Sequence, residues 1–324
     1  MKNEQSNIII AGIIIGIIAT SLVLFGNPKN MGFCIACFIR DTAGGLGLHR
    51  AEAVQYIRPE IIGIVLGSFG LALFNREFSP KGGSAPMTRF TLGFFVMVGC
   101  LMFLGCPFRM ILRLAGGDLN AAAGLIGFTL GILCGVWFLG KGYSLKRSYK
   151  LPKSEGFVLP VIQVVFFLLL VCAPGLLQFS PEGAGPGAMH AAVILSLLAG
   201  AAVGALAMNL IFTAVTPGVY FKLAAAEQPV AHTDALWNAL GMLLTGFGCV
   251  LLGGCPLRQL VLSGEGNTDS AVAVLGLLTG AAFCHNFGLA SSGKGPTANG
   301  KTAVILGLAV ALCIAFSNTF RKDN

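Results

Sequence analysis

Long apolar runs separated by short polar segments dominate the pattern along the chain. Nine of these runs approach the length of about 20 residues that an α-helix needs to cross the hydrocarbon core of a bilayer. They cover residues 8–26, 57–75, 89–106, 120–140, 157–179, 190–213, 235–253, 269–290 and 302–320. The pattern therefore predicts an all-α polytopic membrane protein with about nine transmembrane helices.

Two segments between these runs are too short to cross a bilayer. The first, about residues 27–50, is apolar only briefly and then turns polar at Arg40-Asp41. The second, about residues 208–225, contains Pro217-Gly218, a pair that stops a helix. A bilayer tolerates interrupted helices only where protein or water surrounds them. We therefore expect both segments to form short re-entrant helices, with an ordinary loop as the alternative for each.

Composition agrees with this pattern and narrows the function. Of 324 residues, 55% are hydrophobic and 10% are charged, and the mean hydropathy is +0.83, whereas soluble domains carry about 25% charged residues. These values exclude a soluble enzyme and predict a single membrane domain over residues 1–324. The net charge of +8 is accompanied by neither a nucleic-acid motif nor a phosphate-binding loop, so no nucleic acid and no nucleotide-binding domain are expected.

The distribution of basic residues predicts the orientation. The loop at residues 141–156 carries five of them, whereas the loop at 180–189 carries none, so the positive-inside rule makes the first loop cytoplasmic. Counting spans from there leaves the N-terminus inside but Arg321 and Lys322 outside. Either one segment does not cross fully or the tail is an exception. The same count gives the two halves described next the same orientation.

An internal repeat is the most informative feature of the sequence. Residues 99–109 align with residues 248–258 at a constant offset of 149, with six of eleven positions identical. Matched helix interruptions in two halves are typical of transporters and channels whose site lies between the repeats, and a purely structural duplication is the alternative. The predicted organisation is repeat one at about 8–140, a linking helix at 157–179, repeat two at about 190–290 and a C-terminal helix at 302–320.

Each repeat contains an apolar span followed by the motif Gly-Cys-Pro-x-Arg. Proline at this position breaks or kinks the helix, so we expect helix breaks at Pro107 and Pro256. The cysteines that precede them, Cys106 and Cys255, then lie at the breaks. Backbone groups exposed at a break inside a membrane face protein or a water-filled path.

An arginine follows each of these cysteines by three residues, at Arg109 and Arg258. This spacing can bring the charge to the same face as the thiol. An arginine near the membrane marks an ion path, a counter-ion pair or a snorkelling anchor. Its recurrence beside the same Cys-Pro in both halves favours the path.

The ten cysteines divide into two groups by position. Six fall inside apolar runs, where a thiol behaves as a small hydrophobe: Cys100, Cys134, Cys172, Cys249, Cys284 and Cys313. Among the other four, Cys34 and Cys37 form a Cys-x-x-Cys, which leaves a dithiol redox pair open as an alternative function. With no second motif of this kind and four scattered histidines, zinc is not expected; neither a metal nor a cofactor is predicted.

These residues resemble a known family. The two Gly-Cys-Pro breaks, together with Gly32-Phe33-Cys34 to Phe38-Ile39-Arg40-Asp41, look like the YeeE/YedE family of bacterial inner-membrane sulfur-compound transporters, over nearly the whole chain. The double cysteine of residues 31–41 is most similar to the branch associated with selenium metabolism. The resemblance implies an hourglass of nine spans with short helices that enter from opposite faces. In that arrangement pore-facing cysteines pass an anion such as thiosulfate along by thiol hydrogen bonds.

Carried over by the resemblance, the path cysteines fall on Cys34, Cys106 and Cys255, and Cys37 is an extra thiol one turn from Cys34. The counterpart of the early segment in the second half, residues 208–213, contains no cysteine. This difference argues against a symmetric path of four thiols.

The chemistry of such a path is consistent with the residue types. A thiol is a weak donor and its sulfur a weak acceptor, so it can contact a soft anion without holding it, as conduction requires. Arg40, Arg109 and Arg258 would supply the attractive field. Because an arginine at the narrowest point would trap the anion, we expect all three at the vestibules.

The leading hypothesis is therefore not an enzyme but an inner-membrane transporter or permease for a small sulfur- or selenium-containing anion. Its expected partners are that anion, the lipid bilayer and a cytoplasmic protein that handles sulfur or selenium, and the oligomeric state stays open. One alternative is a membrane thiol oxidoreductase or persulfide carrier that uses Cys34 and Cys37. Another is a structural membrane subunit in which none of the thiols matters.

Overall fold

The computed structural model describes residues 13–19, 21–23, 27–28, 31–145, 148–177, 228 and 230–320. This part of the chain is almost entirely helical. After a helical stretch at residues 13–19 and 21–23, the helices are α1 (Ile35–Gly45), α2 (Pro59–Phe74), α3 (Pro86–Phe103), α4 (Pro107–Ala115), α5 (Asn120–Gly140), α6 (Lys153–Cys172), α7 (Ala235–Leu252), α8 (Pro256–Gly264), α9 (Thr268–Asn286) and α10 (Ala298–Thr319). Short 3₁₀ helices lie at Glu52–Val54 and Pro174–Leu176.

Within the described residues, seven helical stretches are long and apolar enough to cross a membrane, as expected of a multi-pass membrane protein. They are Glu52–Phe74, Pro86–Ala115, Asn120–Gly140, Lys153–Cys172, Ala235–Gly264, Thr268–Asn286 and Ala298–Thr319. Each contains most of one predicted run. Of the other two runs, 8–26 lies only partly within the described residues, and 190–213 lies outside them, as does the second short segment at 208–225.

Two helix boundaries differ from the predicted ones for local reasons. The linking helix α6 ends at Cys172 rather than at residue 179, because Pro174 follows and a 3₁₀ turn replaces the α-helix. Helix α10 begins at Ala298 rather than at residue 302. There the Thr297 side chain accepts the backbone N–H of Gly300 and caps the first turn.

A short antiparallel strand pair joins two basic loops. β1 (Lys81–Gly82) pairs with β2 (Tyr149–Lys150), which places Lys81 opposite Lys150. The loop after α2 and the loop before α6 therefore lie on the same side of the helices, as the predicted orientation requires of both.

The helix breaks occur at the Gly-Cys-Pro motifs. Helix α3 ends at Leu104, which adopts the left-handed conformation with φ of 61°, and the Gly105 N–H donates back to the Cys100 carbonyl at 2.8 Å. Helix α7 ends in the same way at Gly253, with φ of 85°. This is the geometry of a helix C-terminus that reverses the chain. A new short helix then starts at Pro107 or Pro256.

The matched helices also have matched boundaries. Helices α3 and α7 differ by 149 residues at both ends, and so do α4 and α8. Helices α5 and α9 begin 148 residues apart and carry aligned glycines. The offset found in the sequence therefore holds for whole helices as well as for the motif.

Contacts between the halves are reciprocal. Gly127 of α5 lies against the Ala239 carbonyl of α7, and the aligned Gly276 of α9 lies against the Phe90 carbonyl of α3. Gly276 is the aligned counterpart of Gly127, and Phe90 is the aligned counterpart of Ala239. The second contact therefore repeats the first with the two halves exchanged. One turn further along, the contacts pair Gly131 with Leu243, and Gly280 with Phe94.

The same contacts give the relative directions of the helices. Residue numbers rise together from Gly127 and Ala239 to the next turn, so α5 and α7 run parallel, and α3 and α9 do likewise. Between α3 and α7 the numbers run in opposite senses, because Gly99 contacts Thr245 whereas Val96 contacts Gly248. Helix α3 and its counterpart α7 are therefore antiparallel, and the same orientation expected from counting spans is wrong.

The aligned glycines should be equally sensitive to substitution. A Cβ atom at Gly127 or Gly276 would clash with a backbone carbonyl of the facing helix, and backbone cannot yield as a flexible side chain can. We expect Gly127→Ala and Gly276→Ala each to destabilise the protein by about 1–3 kcal/mol, measured by thermal unfolding in detergent. Gly140→Ala is the control, because nothing lies within 4 Å of that position. Wild-type stability of either variant would contradict the close packing.

Candidate functional site

Three short helices begin at a cysteine. Cys34, Cys106 and Cys255 are the N-cap residues of α1, α4 and α8, and all three have extended backbone conformations. The backbone N–H groups in the first turn of a helix have no intrahelical acceptor and carry partial positive charge. The three thiols assigned to the path by the resemblance therefore share one structural position.

Aromatic contacts hold the starts of α1 and α4 together. The ring centroid of Phe33, one residue before Cys34, lies 5.2 Å from that of Phe108 in the first turn of α4, and 6.0 Å from that of Phe38. The Cys34 and Cys106 side chains lie near each other. All eleven residues of α1 are buried, so the first short segment forms a helix inside the protein.

Cys34 and Cys37 form a close dithiol, and these two residues together with Cys106 are called the thiol cluster below. The Cys34 thiol donates to the Cys37 sulfur across 2.7 Å, and the Cys37 backbone N–H donates to the Cys34 sulfur at 3.4 Å. Both side chains have an exposed fraction of 0%. The Cys-x-x-Cys spacing thus brings both sulfurs to the first turn of one buried helix.

Arg109 contacts the thiol cluster. Its guanidinium donates from Nη1 to the Cys37 sulfur at 3.4 Å and to the Leu104 carbonyl, and from Nη2 to the Val230 carbonyl at 3.3 Å. Arg109 is fully buried. The expectation that it lies at a vestibule is wrong, because the helix reversal at Leu104 turns the first turn of α4 inward.

Arg40 lies nearby in an ion-pair network. Asp41 accepts from Arg40 at 2.6 Å and from Arg58 at 2.6 Å. Arg58 also lies 3.6 Å from Glu60, and Asn27 bridges Glu60 and Arg58. All five side chains are buried. The charge of Arg40 is therefore largely balanced within the protein, which also differs from the predicted vestibule position.

Arg258, the third predicted arginine, is solvent-exposed. Its side-chain carbons lie against Gly254, as those of Arg109 lie against Gly105. The neighbouring Cys255 is partly exposed. Among the described residues, the helix break of the second half is therefore more exposed than that of the first, although its backbone follows the same path.

Two further cysteines lie close to this cluster. Cys100 and Cys249, predicted to be packing thiols, are buried in the hydrophobic core at the last turns of α3 and α7. Cys100 also lies near Cys34, Cys37 and Cys255, and Cys249 lies near Cys100 and Cys255. Their alignment at the offset of 149 is the sequence signal that marks both as further candidates for the path.

A buried ion pair fixes α4 in place. Arg113, in the last turn of α4, donates from Nε to Asp118 at 2.6 Å and from Nη1 to the Phe103 carbonyl at 2.9 Å. Its guanidinium also lies 4.2 Å from the centroid of the Phe103 ring. These contacts connect the end of α4 to the end of α3 and hold Cys106 and Arg109 beside Cys34 and Cys37.

Two buried histidines in the loops flanking the site are held in the neutral form. His49 donates from Nε2 to the Arg40 carbonyl at 3.0 Å and accepts the Ala51 N–H at Nδ1. His232 makes the same two contacts, to the Met102 carbonyl at 2.8 Å and from the Asp234 N–H. Burial lowers the pKa of both rings, because a charged imidazolium would lose its hydration. A proton on Nδ1 would also point at the backbone N–H that this nitrogen accepts.

Acidification should therefore weaken the fold around the site. A histidine with a lowered pKa in the folded state loses stability as pH falls below the unfolded value near 6.5, by at most about 1.4 kcal/mol per ring for each pH unit. We expect a lower thermal unfolding temperature at pH 5.5 than at pH 7.5. The groups facing His49 are Arg40, Asp41 and His285. In a His49→Gln, His232→Gln variant this difference should shrink; an unchanged difference would contradict the assignment.

Within the described residues, no three His, Cys, Asp or Glu side chains come together in an arrangement that could hold a metal ion. The site consists instead of thiols, helix N-termini and the Arg109 guanidinium. Comparison of the chain with protein-family models, with curated proteins and with solved structures gives no match.

Proposed function

We propose that the chain is a transporter or permease for a small sulfur- or selenium-containing anion, passed along pore-facing cysteines. The observation that carries this proposal is the group of buried thiols Cys34, Cys106 and Cys100, with the partly exposed Cys255 near Cys100 and with Arg109 bonded to Cys37. Ionisable residues inside a membrane domain are rare and often mark a substrate path, and Arg109 is such a residue beside these thiols.

The arrangement of the halves supports transport. Two helices with aligned breaks run antiparallel, and their residues exchange contacts reciprocally, as in two repeats of inverted topology. Such repeats place the substrate site where their broken helices meet. In this proposal α4 and α8 enter from opposite faces of the membrane and present Cys106 and Cys255 toward each other.

The thiols, the helix N-termini and Arg109 suit an anion that binds weakly and is released again. Helix N-termini and a guanidinium favour negative charge, while thiols are weak partners. Arg109 divides its donors between the Cys37 sulfur and two backbone carbonyls. An anion beside it would compete with these partners, so the buried arginine attracts the anion without providing a deep trap.

The choice of a sulfur or selenium compound comes from the sequence resemblance, as does the bacterial inner membrane. In the predicted orientation the strand pair at Lys81 and Lys150 faces the cytoplasm. A cytoplasmic protein that handles sulfur or selenium is proposed as the second partner on that side.

Flux into proteoliposomes tests the proposal. The purified full-length chain is reconstituted, and thiosulfate and selenite influx are measured against liposomes without protein, with sulfate as the hard-anion comparison. We expect saturable influx of thiosulfate or selenite that sulfate does not inhibit. Influx of both anions at the rate of protein-free liposomes would overturn the proposal.

A further inference from the structure

Cys37 is not needed for a path made of N-cap thiols, yet it has the shortest sulfur contact in the described structure. Its sulfur lies 2.7 Å from that of Cys34, well inside the distance at which two non-bonded sulfurs touch. The two residues occupy the N-cap and third positions of α1. The backbone already holds the two side chains together, so little movement separates this dithiol from a covalent bond.

We propose that Cys34 and Cys37 are a redox modification site, which small peroxides oxidise to a disulfide and small dithiols reduce again, and that the disulfide closes the path. The bond itself does not depend on the proposed function. The closure does, and the two parts are tested separately below.

The reaction begins at Cys37. The Arg109 guanidinium donates to its sulfur at 3.4 Å, a contact that favours negative charge there and opposes burial, which raises the pKa of the Cys37 thiol. The Cys37 sulfur attacks one peroxide oxygen, the O–O bond breaks, and one water leaves, forming a sulfenic acid. The Cys34 sulfur then attacks the Cys37 sulfur and displaces a second water. Two thiols lose two electrons and two protons, and hydrogen peroxide is reduced to two waters.

Burial determines which oxidants can react. Cys34, Cys37 and every residue of α1 are buried, so we expect only an oxidant small enough to use the route of the proposed anion, such as hydrogen peroxide, to react, and a bulky peptide disulfide not to. Reduction needs an equally small reagent: a dithiol attacks the disulfide, is itself oxidised to a cyclic disulfide, and returns both cysteines as thiols.

The disulfide would change the path directly. Cys34 loses its proton and with it the donor at the N-cap of α1, and Cys37 loses the thiol beside Arg109. Cys106, whose side chain lies within reach of Cys34, loses its thiol neighbour. The path then has two fewer thiol donors at the point where the first-half groups meet, and we expect the flux to fall at least tenfold.

Peptide mapping of the purified full-length protein tests the bond. Trypsin releases residues 30–40 as one peptide that contains both cysteines. After hydrogen peroxide treatment and alkylation, we expect this peptide to lose the mass of two hydrogens and to resist alkylation, and dithiothreitol to restore both thiols. Cys172 and Cys313 are exposed and report within the same sample how much oxidant was effective.

Two variants separate the mechanism from chance reactivity. Cys106→Ser removes the third thiol and should leave the intrapeptide disulfide intact, whereas Arg109→Gln should slow its formation about tenfold, as loss of a charge-assisted contact predicts. Alkylation of both Cys34 and Cys37 at peroxide levels that consume Cys172 and Cys313 would overturn the proposal. Stable sulfinic acid at Cys37, or a peptide cross-linked to Cys106 in place of the Cys34–Cys37 bond, would also overturn it.

Closure is tested in the same proteoliposomes. Peroxide should lower flux in the wild type and in a Cys172→Ser, Cys313→Ser variant, and dithiothreitol should restore it. If the disulfide forms but flux is unchanged, the closure is wrong and the modification site stands. If no flux exists in either redox state, the proposed transport function fails while the peptide result still decides the disulfide.

Discussion

Replacing Cys106 or Cys255 by alanine is expected to abolish anion flux while leaving the protein in the membrane. Each thiol caps a short helix at a break, and each is the helix-break cysteine of its half in the proposed path. A hydrogen bond to a charged group contributes about 1.5–3 kcal/mol, so losing one partner should slow passage by at least about tenfold. Uptake in a transport-deficient strain and flux in proteoliposomes both measure this effect.

Matched serine variants of Cys172 and Cys313 provide the control. Both residues are exposed on helices outside the thiol cluster, so their flux should equal that of the wild type. Wild-type flux in both alanine variants would remove the cysteines from the path. A loss of flux that accompanies loss of folded protein from the membrane would report on stability alone, which gel filtration of each variant distinguishes.

Replacing Asp41 by alanine is expected to cause the largest loss of stability. Asp41 is the shared acceptor of Arg40 and Arg58, with both distances at 2.6 Å. Without it, the buried Arg40 loses its carboxylate partner and Arg58 keeps only Glu60 at 3.6 Å; breaking a buried pair in this way costs about 3–5 kcal/mol. The thermal unfolding temperature in detergent should fall by about 10 °C.

Two further variants serve as comparisons, Asp41→Asn as an intermediate change and Glu52→Ala as a control. The asparagine retains the shape and one acceptor oxygen but not the charge, so its effect should fall between those of the wild type and the alanine variant. Glu52 is an exposed acidic residue in the nearby 3₁₀ helix, and its loss should change stability by less than about 0.5 kcal/mol. An Asp41→Ala variant as stable as Glu52→Ala would show that the network contributes little.

Local features of the site were predictable from the sequence. Proline cannot continue a helix and glycine reverses one cheaply, so the breaks at Pro107 and Pro256 follow from residue type alone. Apolar length likewise located seven spans. The burial of α1 was less evident, because its sequence contains Arg40 and Asp41, and only their mutual pairing makes that burial tolerable.

The rest of the site depends on contacts between distant residues. Arg109 looks like a vestibule residue until the reversal at Leu104 directs it inward. The nearness of the core residue Cys100 to Cys34 arises only in the folded chain, which also brings Phe33 and Phe108 into contact. Counting spans failed to give the antiparallel relation of α3 and α7, because one miscounted segment inverts everything after it.

The reciprocal contacts of α3 and α7 have a consequence for the direction of transport. An anion that travels along the aligned thiols meets Cys106, Cys100, Cys249 and Cys255 in one direction and the same chemical order in the other. Because the order of the thiols is the same from either side, the route itself does not favour one direction. Net movement would follow the concentration gradient of the anion and its consumption on one side. The asymmetry lies at one end, since no cysteine occurs between residues 173 and 248 to match Cys34 and Cys37.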